Sequence, residues 1–161
     1  MGGGCYLPSW AAYKGRSWAD TGHRLIVRAW DARGALRSVR AWRVTDGSTP
    51  KRLPPAGRRA AELVQANREA WLMLAGRACP LRLVIVEGEP DWLVASTALV
   101  RGDAVIGIGS GSWTEDFARR VPRGTEVIVA THADEAGDRY AAHVLETLGD
   151  QRPTYRWRMA S

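Results

Sequence analysis

Four side chains that can bind a cation or move a proton lie just after two hydrophobic stretches of the sequence. Glu87 and Asp91 follow the run LVIV, and His132 and Asp134 follow the run VIVA. Carboxylates that gather in one place repel one another unless a cation lies between them, and oxygen ligands suit Mg²⁺ or Mn²⁺. If the fold brings these side chains together, they predict a metal site that handles phosphate groups.

The elements that must position these side chains are two short strands, 83–86 and 127–130. Both are continuous apolar runs rich in β-branched residues, which indicates strands buried on both faces of a parallel sheet. Ligands of such sheets bind at the carboxyl ends of the strands, where Glu87 and Asp134 lie. His132 and Asp134 are two residues apart and face the same side if the strand geometry continues.

Hydrophobic periodicity and turn residues predict the rest of the chain, with strands and helices alternating in right-handed βαβ units in its second half. The expected elements are an N-terminal arm over 1–22 with a helical turn near 10–13, a β-hairpin over 23–44, a proline-rich loop and a helix over 59–75; then a strand over 82–86, a helix over 90–100, a strand over 104–107, a helix from 114, a strand over 126–130, a helix over 135–148 and a strand over 154–158.

The charge of the chain is unevenly distributed. Residues 1–80 contain 14 Lys and Arg against 5 Asp and Glu, a balance of +9, whereas residues 81–161 contain 9 against 12, a balance of −3. A basic surface beside a cation-binding cluster is typical of proteins that process polyanions. An arginine-rich, solvated surface without a ligand is the alternative that composition leaves open.

The two acidic stretches resemble the Toprim domain that bacterial-type primases, topoisomerases and certain small nucleases share. EGEPDWL is followed some forty residues later by HADEAGDRYAA. Glu87 matches the glutamate of the family, Asp134 the second aspartate of its Asp-x-Asp motif and Gly137 its glycine, while His132 replaces the first aspartate. The resemblance implies an α/β fold, a Toprim (Rossmann-like) parallel sheet flanked by helices, with Mg²⁺ or Mn²⁺ held by Glu87, His132 and Asp134 and with Glu87 and Asp134 as catalytic residues.

The basic half resembles the segment that precedes Toprim in bacterial and phage primases. It contains a hairpin built on DARG, with arginines between apolar residues, followed by a loop with the sequence TPK. Arg43 corresponds to the hairpin arginine of that family and Lys51 to its loop lysine, and with Arg28, Arg40 and Arg52 they predict a surface that binds nucleotide and nucleic acid. The expected domains are therefore the arm over 1–22, a small basic α+β subdomain over 23–79 and Toprim over 80–161.

Several further residues are expected to support the site. Gly88 and Asp91 belong to the EGxxD pattern, in which Asp91 stabilises the first turn of its helix. Gly109 and Ser110 begin a Gly-Ser loop before a helix, where backbone amides can receive a phosphate. Asp138 lies one turn beyond Asp134 and is a substitute metal ligand.

His132 leaves three interpretations open. A neutral imidazole binds Mn²⁺ or Zn²⁺ but is a poor ligand for Mg²⁺, so activity survives with a different metal. Alternatively, the loss of one negative charge disables the site and leaves a nucleic-acid-binding module. In the third interpretation His132 is an acid or base for phosphodiester cleavage in a nuclease.

The leading hypothesis is a primase-like nucleotidyltransferase that makes RNA primers, with single-stranded DNA or RNA and nucleoside triphosphates as its partners. The sequence contains no zinc-binding spacing of cysteines and no helicase segment, so a separate helicase or zinc-domain protein is an expected partner. Two cysteines without a disulfide framework predict a reducing, cytoplasmic location, and no membrane association is expected.

Overall fold

A computed structural model describes residues 7–57, 62–98, 102–109 and 112–159 of the protein. The chain divides into two compact units, the first within residues 1–29 and 38–60 and the second within 30–37 and 61–161. The domain boundaries expected after residues 22 and 79 stay predictions. Within the described residues, no helix has the length and apolar character needed to cross a membrane.

The first unit is built from short antiparallel strands. Lys14 and Gly15 both have positive φ, at 49° and 78°, which suits the tight two-residue turn of a β-hairpin. The helical turn expected near 10–13 is therefore wrong, because this turn folds the chain back on itself at once. The strands are β1 (Ala12–Tyr13), β2 (Arg16–Ser17), β3 (His23–Trp30), β4 (Leu36–Arg43) and β5 (Arg52–Leu53).

The hairpin predicted over 23–44 is confirmed by β3 and β4. Its tip, 30–37, belongs to the second unit. There Asp31 accepts hydrogen bonds from the backbone amides of Arg33 and Ala35, both at 2.9 Å, and Gly34 takes a φ of 71° that a side chain would disfavour. The first unit has its own small core, in which Ala11 and Trp18 pack with Ala41 and Leu53.

The second unit is a five-stranded sheet covered by helices on both faces. Its strand order is β10-β9-β7-β8-β6; the first four strands are parallel, β6 is antiparallel to β8, and Trp30 at the end of β3 pairs with Val64. The elements are β6 (Val64–Ala66), α1 (Arg68–Leu74), β7 (Arg82–Glu87), α2 (Gly88–Ala98), β8 (Ala104–Ile108), α3 (Glu115–Arg120), β9 (Glu126–His132), α4 (Glu135–Leu148), a 3₁₀ turn (Gly149–Gln151) and β10 (Thr154–Met159).

Both faces of the central strands are buried, as the continuous apolar runs predicted. Alternate residues of β7 enter two different clusters. Leu83 and Ile85 pack on the face that α4 covers, with Ala141, Val144 and Leu148. Val84 and Val86 pack on the opposite face, with Trp92 and Ala95 of α2. This alternation decides on which face each side chain at the strand ends begins.

The helix predicted over 59–75 is wrong in its first half. Residues 59–61 lie outside the described part of the chain, Val64–Ala66 form a strand, and the helix begins only at Arg68. Asn67 ends the strand and caps the helix, since its side chain accepts a hydrogen bond from the amide of Ala70 at 2.9 Å. The same oxygen accepts from the amide of Val105, which fixes this junction to β8.

Candidate functional site

Glu87 is the last residue of β7 and lies beside Ile108 of β8. It follows Leu83 and Ile85 in alternation and therefore leaves the sheet on the α4 face. The oxygen Oε2 of Glu87 is buried and has no hydrogen-bond partner among the described residues. A buried carboxylate oxygen without a partner is costly, so this atom suits a ligand or cation that would complete its interactions.

Gly88 makes the turn from β7 into α2. Its φ is +82°, in the left-handed region that glycine adopts without strain, while a Cβ there would make only an ordinary contact with Pro90. The requirement for glycine is therefore conformational rather than steric. The turn allows a helix to begin directly after the carboxylate of Glu87.

Glu89 is a buried acidic residue that the sequence analysis missed. Its side chain is only 3% exposed and accepts a hydrogen bond from Nε2 of Gln65 at 3.3 Å. Nearby, Gly107 of β8 allows α2 to pack closely on the sheet, because a Cβ there would lie 2.7 Å from Cβ of Trp92. Acidic residues in the first turn of a helix usually face solvent, and the sequence carries no signal that Glu89 is an exception.

Asp134 begins α4. It has extended backbone angles, and Oδ1 accepts a hydrogen bond from the amide of Gly137 at 2.7 Å, the arrangement of a helix N-cap. Because β9 ends at His132, the strand geometry does not continue to Asp134. Asp134 caps the helix that covers the face from which Glu87 emerges.

Gly137 is required by packing. Its backbone lies so close to the end of β9 that a Cβ would overlap the carbonyl oxygen of His132. The contact is reinforced by Thr131, whose buried hydroxyl donates to the carbonyl oxygen of Gly137 at 3.0 Å. The glycine of the expected motif thus holds the first turn of α4 against its strand.

His132 lies on the other face. It follows Ala130 in alternation, and Nε2 is 3.2 Å from Oδ2 of Asp91 in α2. Both side chains are partly exposed, at 35% for His132 and 28% for Asp91. Asp91 therefore links α2 to the end of β9, in addition to any effect on the first turn of its own helix.

Asp138 is engaged by two arginines of β10. Its carboxylate accepts a hydrogen bond from Arg156 and lies 3.2 Å from Nη2 of Arg158. The hydrogen bond from Arg156 is the main cause that lowers the pKa of Asp138 below its ordinary value, with further help from the charges of both guanidinium groups. Since these contacts occupy the carboxylate, Asp138 is poorly placed to serve as a metal ligand.

A three-ligand metal cluster does not form at this edge. The described residues contain no group of three or more His, Cys, Asp or Glu side chains placed to hold one ion. The predicted ligands Glu87, His132 and Asp134 cannot hold one ion together, because Glu87 and His132 leave the sheet on opposite faces. The unpartnered oxygen of Glu87 still fits an ion of the Mg²⁺ type, which uses one or two carboxylates and takes its other ligands from water and phosphate.

The Gly-Ser loop is described only at its ends. The amide of Gly109 donates to Oγ of Ser112 at 2.7 Å, and that hydroxyl donates to the carbonyl oxygen of Gly109. Ser110 lies outside the described residues, so its role in binding a phosphate stays a prediction. The helix that follows, α3, has six residues.

The basic residues expected to bind nucleic acid belong to the first unit. Arg28, Lys51 and Arg52 are exposed, whereas Arg40 and Arg43 are partly buried. Arg43 is held by its own loop: its backbone amide donates to the carbonyl oxygen of Lys51 at 2.8 Å, and its guanidinium donates to the carbonyl oxygen of Thr45. The hairpin arginine and the loop lysine are therefore neighbours in the structure.

The chain was compared with family models, with curated proteins and with solved structures. The Toprim-like family model matches residues 84–160. Among curated proteins, none matches the chain. Several solved primase structures share its fold.

The E. coli primase catalytic core is 23% identical, with a TM-score of 0.60 over 85% of this chain and 44% of that one. A primase catalytic domain bound to ssDNA is 21% identical, with a TM-score of 0.60 over 85% of this chain and 45% of that one. The Aquifex aeolicus primase, with its zinc-binding and RNA polymerase domains, is 17% identical, with a TM-score of 0.57 over 86% and 34%. The chain thus spans less than half the length of these proteins. Residues 84–160 thus match a Toprim-like domain, and the solved structures show that the chain shares the α/β fold of the primase catalytic core.

Proposed function

We propose that the protein performs metal-dependent nucleotidyl transfer of the primase type, the synthesis of RNA primers on single-stranded DNA. The observation that carries the proposal is a buried oxygen of Glu87 that has no partner among the described residues and lies at the carboxyl end of β7. The primase likeness supports it further, because it covers 85% of the chain and so extends beyond the Toprim match.

Glu87 and Asp134 would hold the divalent ion, Mg²⁺ or Mn²⁺. Bound there, the ion supplies charge neutralisation for the phosphates of an incoming nucleotide. The chain itself contributes a carboxylate at a rigid strand end and a second carboxylate fixed by the amide of Gly137. Asp134 can give one oxygen to its cap and keep the other for a ligand.

The cations of the first unit would bind the polyanionic partners. Arg28, Arg40, Arg43, Lys51 and Arg52 suit the phosphates of single-stranded DNA or RNA and of nucleoside triphosphates. One primase of similar fold was solved bound to ssDNA. A cytoplasmic location, with a separate helicase or zinc-domain protein as a partner, completes the proposal.

A primer-synthesis assay tests this function. The full chain is incubated with labelled nucleoside triphosphates and a single-stranded template, with Mg²⁺ or with Mn²⁺. We expect short labelled products that Glu87→Gln abolishes and that Glu115→Gln leaves unchanged, because Glu115 is an exposed acid on α3. No product with either ion, under conditions in which template is bound, would overturn catalysis of this type; degradation of the template would point to a nuclease.

A second candidate is a nucleic-acid-binding module without catalysis. Two observations favour it: His132 is paired with Asp91, and the described residues gather no three metal-binding side chains. In this case binding of single strands is salt-sensitive and is unaffected by EDTA or by Asp134→Asn. A loss of affinity in EDTA that Mg²⁺ restores would contradict it.

A further inference from the structure

The outer strand of the second unit carries two exposed aromatic rings on one face. Tyr155 is 57% exposed and Trp157 is 59% exposed. They alternate along β10 with Arg156 and Arg158, so both rings share the face of Met159. Aromatic rings of this size are usually buried. Two exposed rings on one face of a strand therefore indicate a surface that binds another molecule.

The neighbouring elements explain why this face is open. Met159 packs with Ile128 and Trp92 in the cluster on the α2 face, so Tyr155 and Trp157 lie on that face as well. The helix α2 packs against β7 and β8, and β10 forms the outer edge of the sheet, paired with β9 alone among the described strands. The rings therefore lie beyond the cover of the helix.

The strip of rings runs along β10 toward the strand end that bears His132, on the face opposite to the one from which Glu87 emerges. Along β10, Tyr155 lies beside Ile128, Trp157 beside Ala130 and Met159 beside His132. Two residues of a strand span about 6.6 Å, so the two rings are separated by a distance that successive unstacked bases of an extended strand can match. Met159 then brings the strip to the strand end that bears His132.

The charge of the edge favours a polyanion. Residues 151–159 contain three arginines and no acidic residue. Arg156 and Arg158 share the single carboxylate of Asp138, so these three side chains together keep one positive charge. Arg158 alternates with the rings and lies on the opposite face of β10, where it contacts Asp138. It is 62% exposed, so its charge is available to a nucleic-acid strand that passes around this outer edge of the sheet.

From these observations we infer that Tyr155 and Trp157 form a base-stacking surface for single-stranded nucleic acid, with the exposed Arg158 at the same outer edge of the sheet for the phosphates. Aromatic rings on an open sheet face bind bases by stacking, and this does not depend on base sequence. The inference rests on the proposed function for its substrate class. It adds a binding surface on the second unit, made of residues other than the basic residues of the first unit.

Binding of two oligonucleotides of equal length separates stacking from charge. One is labelled oligo-dT and the other carries abasic sites throughout, so it has the same backbone without bases. Fluorescence anisotropy with the full chain is expected to show at least about fivefold weaker binding of oligo-dT for Tyr155→Ala and for Trp157→Ala, with a larger loss for the double variant. The affinity of each variant for the abasic strand is expected to stay within about twofold of the wild-type affinity.

Two further variants make the test specific. Trp157→Phe keeps a ring and is expected to retain most of the affinity for oligo-dT. Leu81→Ala removes a side chain that is 87% exposed just before β7 and is expected to change neither affinity. Circular dichroism and thermal unfolding of each variant confirm that it is folded.

The possible failures can be told apart. Equal binding of oligo-dT by wild type and by the Tyr155→Ala/Trp157→Ala double variant would overturn the inference and leave the proposed function standing. No binding of either oligonucleotide by the wild type at low salt would overturn the proposed function as well. A change from dimer to monomer in the double variant, seen by light scattering, with oligo-dT binding unchanged, would assign the strip to contact between two copies of the chain.

Discussion

Two junctions of the second unit, β7 to α2 and β9 to α4, have the same sequence pattern of a hydrophobic strand, acidic residues and a glycine. They are nevertheless built in different ways. At the first, β7 enters α2 through Gly88, whose positive φ makes the turn. At the second, β9 enters α4 through an aspartate cap, and Gly137 is needed because the helix presses on the strand. Glycine thus serves backbone conformation at one junction and close packing at the other.

The difference has a consequence for the chemistry. At the turn through Gly88, the buried oxygen Oε2 of Glu87 has no hydrogen-bond partner among the described residues. The cap at Asp134 instead commits one carboxylate oxygen to the helix. Of these two carboxylates, Asp134 therefore stabilises local structure through its cap, whereas the unpartnered oxygen of Glu87 does not.

The largest expected effect comes from Gly137→Ala. The added Cβ would overlap the backbone carbonyl of His132, and a backbone contact cannot be relieved by a rotamer change. We expect a loss of about 3 kcal/mol or more in the free energy of unfolding, measured by urea denaturation.

Gly124→Ala is the matched control for this variant. A Cβ at Gly124 meets no atom within 4 Å, so the same change is expected to be neutral or slightly stabilising. Comparable stability of the Gly137→Ala and Gly124→Ala proteins would mean that α4 does not press on β9 as described.

Gly88→Ala is expected to cost less, about 1–2 kcal/mol, because the φ of +82° is disfavoured for a side chain although space is available. Asparagine tolerates this region better than alanine. Gly88→Asn should therefore recover part of the stability in the same urea measurement, whereas Gly137→Asn should recover none. Equal behaviour of the two asparagine variants would remove the distinction between a conformational and a steric glycine.

Sequence patterns predicted the central sheet well, for a physical reason. The runs at 83–86 and 127–130 are apolar at every position, and only a strand buried on both faces suits them, so β7 and β9 extend just beyond the predicted ranges. The helix over 135–148 was predicted at its true bounds, since Asp134 and Gly149 mark its ends. The ends of this helix can be predicted from the sequence because the residues that cap them are adjacent to it in the chain.

The remaining features depend on contacts between distant segments. The strand Val64–Ala66 forms because it pairs with β8. The helical periodicity of the sequence could not reveal this pairing, so the predicted helix over 59–75 included these residues. Glu89 is buried against Gln65, which lies 24 residues earlier in the sequence and donates a hydrogen bond to it. In the same way, His132 was correctly expected at the strand end, but its contact with Asp91 required the position of α2.

Asp134→Ala tests the cap at the second junction. Loss of the hydrogen bond to the amide of Gly137 is expected to cost about 1 kcal/mol of stability. Asp134→Asn keeps a capping oxygen and should be close to wild type in thermal unfolding, yet it loses the charge needed to bind a divalent ion. A fall in primer synthesis for Asp134→Asn at unchanged stability would separate binding from capping, while equal destabilisation by both variants would contradict the cap.

The smallest expected effect is a pH-dependent contribution of Asp138, which ties α4 to β10. Hydrogen bonding from Arg156 lowers the pKa of Asp138 in the folded protein, so the ionised carboxylate stabilises the fold at pH values above its unfolded pKa. This contribution is lost as the pH falls through the lowered folded pKa. The difference in unfolding temperature between wild type and Asp138→Asn should therefore be full near neutral pH, begin to shrink below about pH 4 and close as the pH falls through the folded pKa. It should also shrink in 1 M salt, because the carboxylate and Arg158 are largely exposed and their attraction is screened. A difference that persists unchanged at pH 2 would show that Asp138 stabilises the fold through packing rather than through its charge.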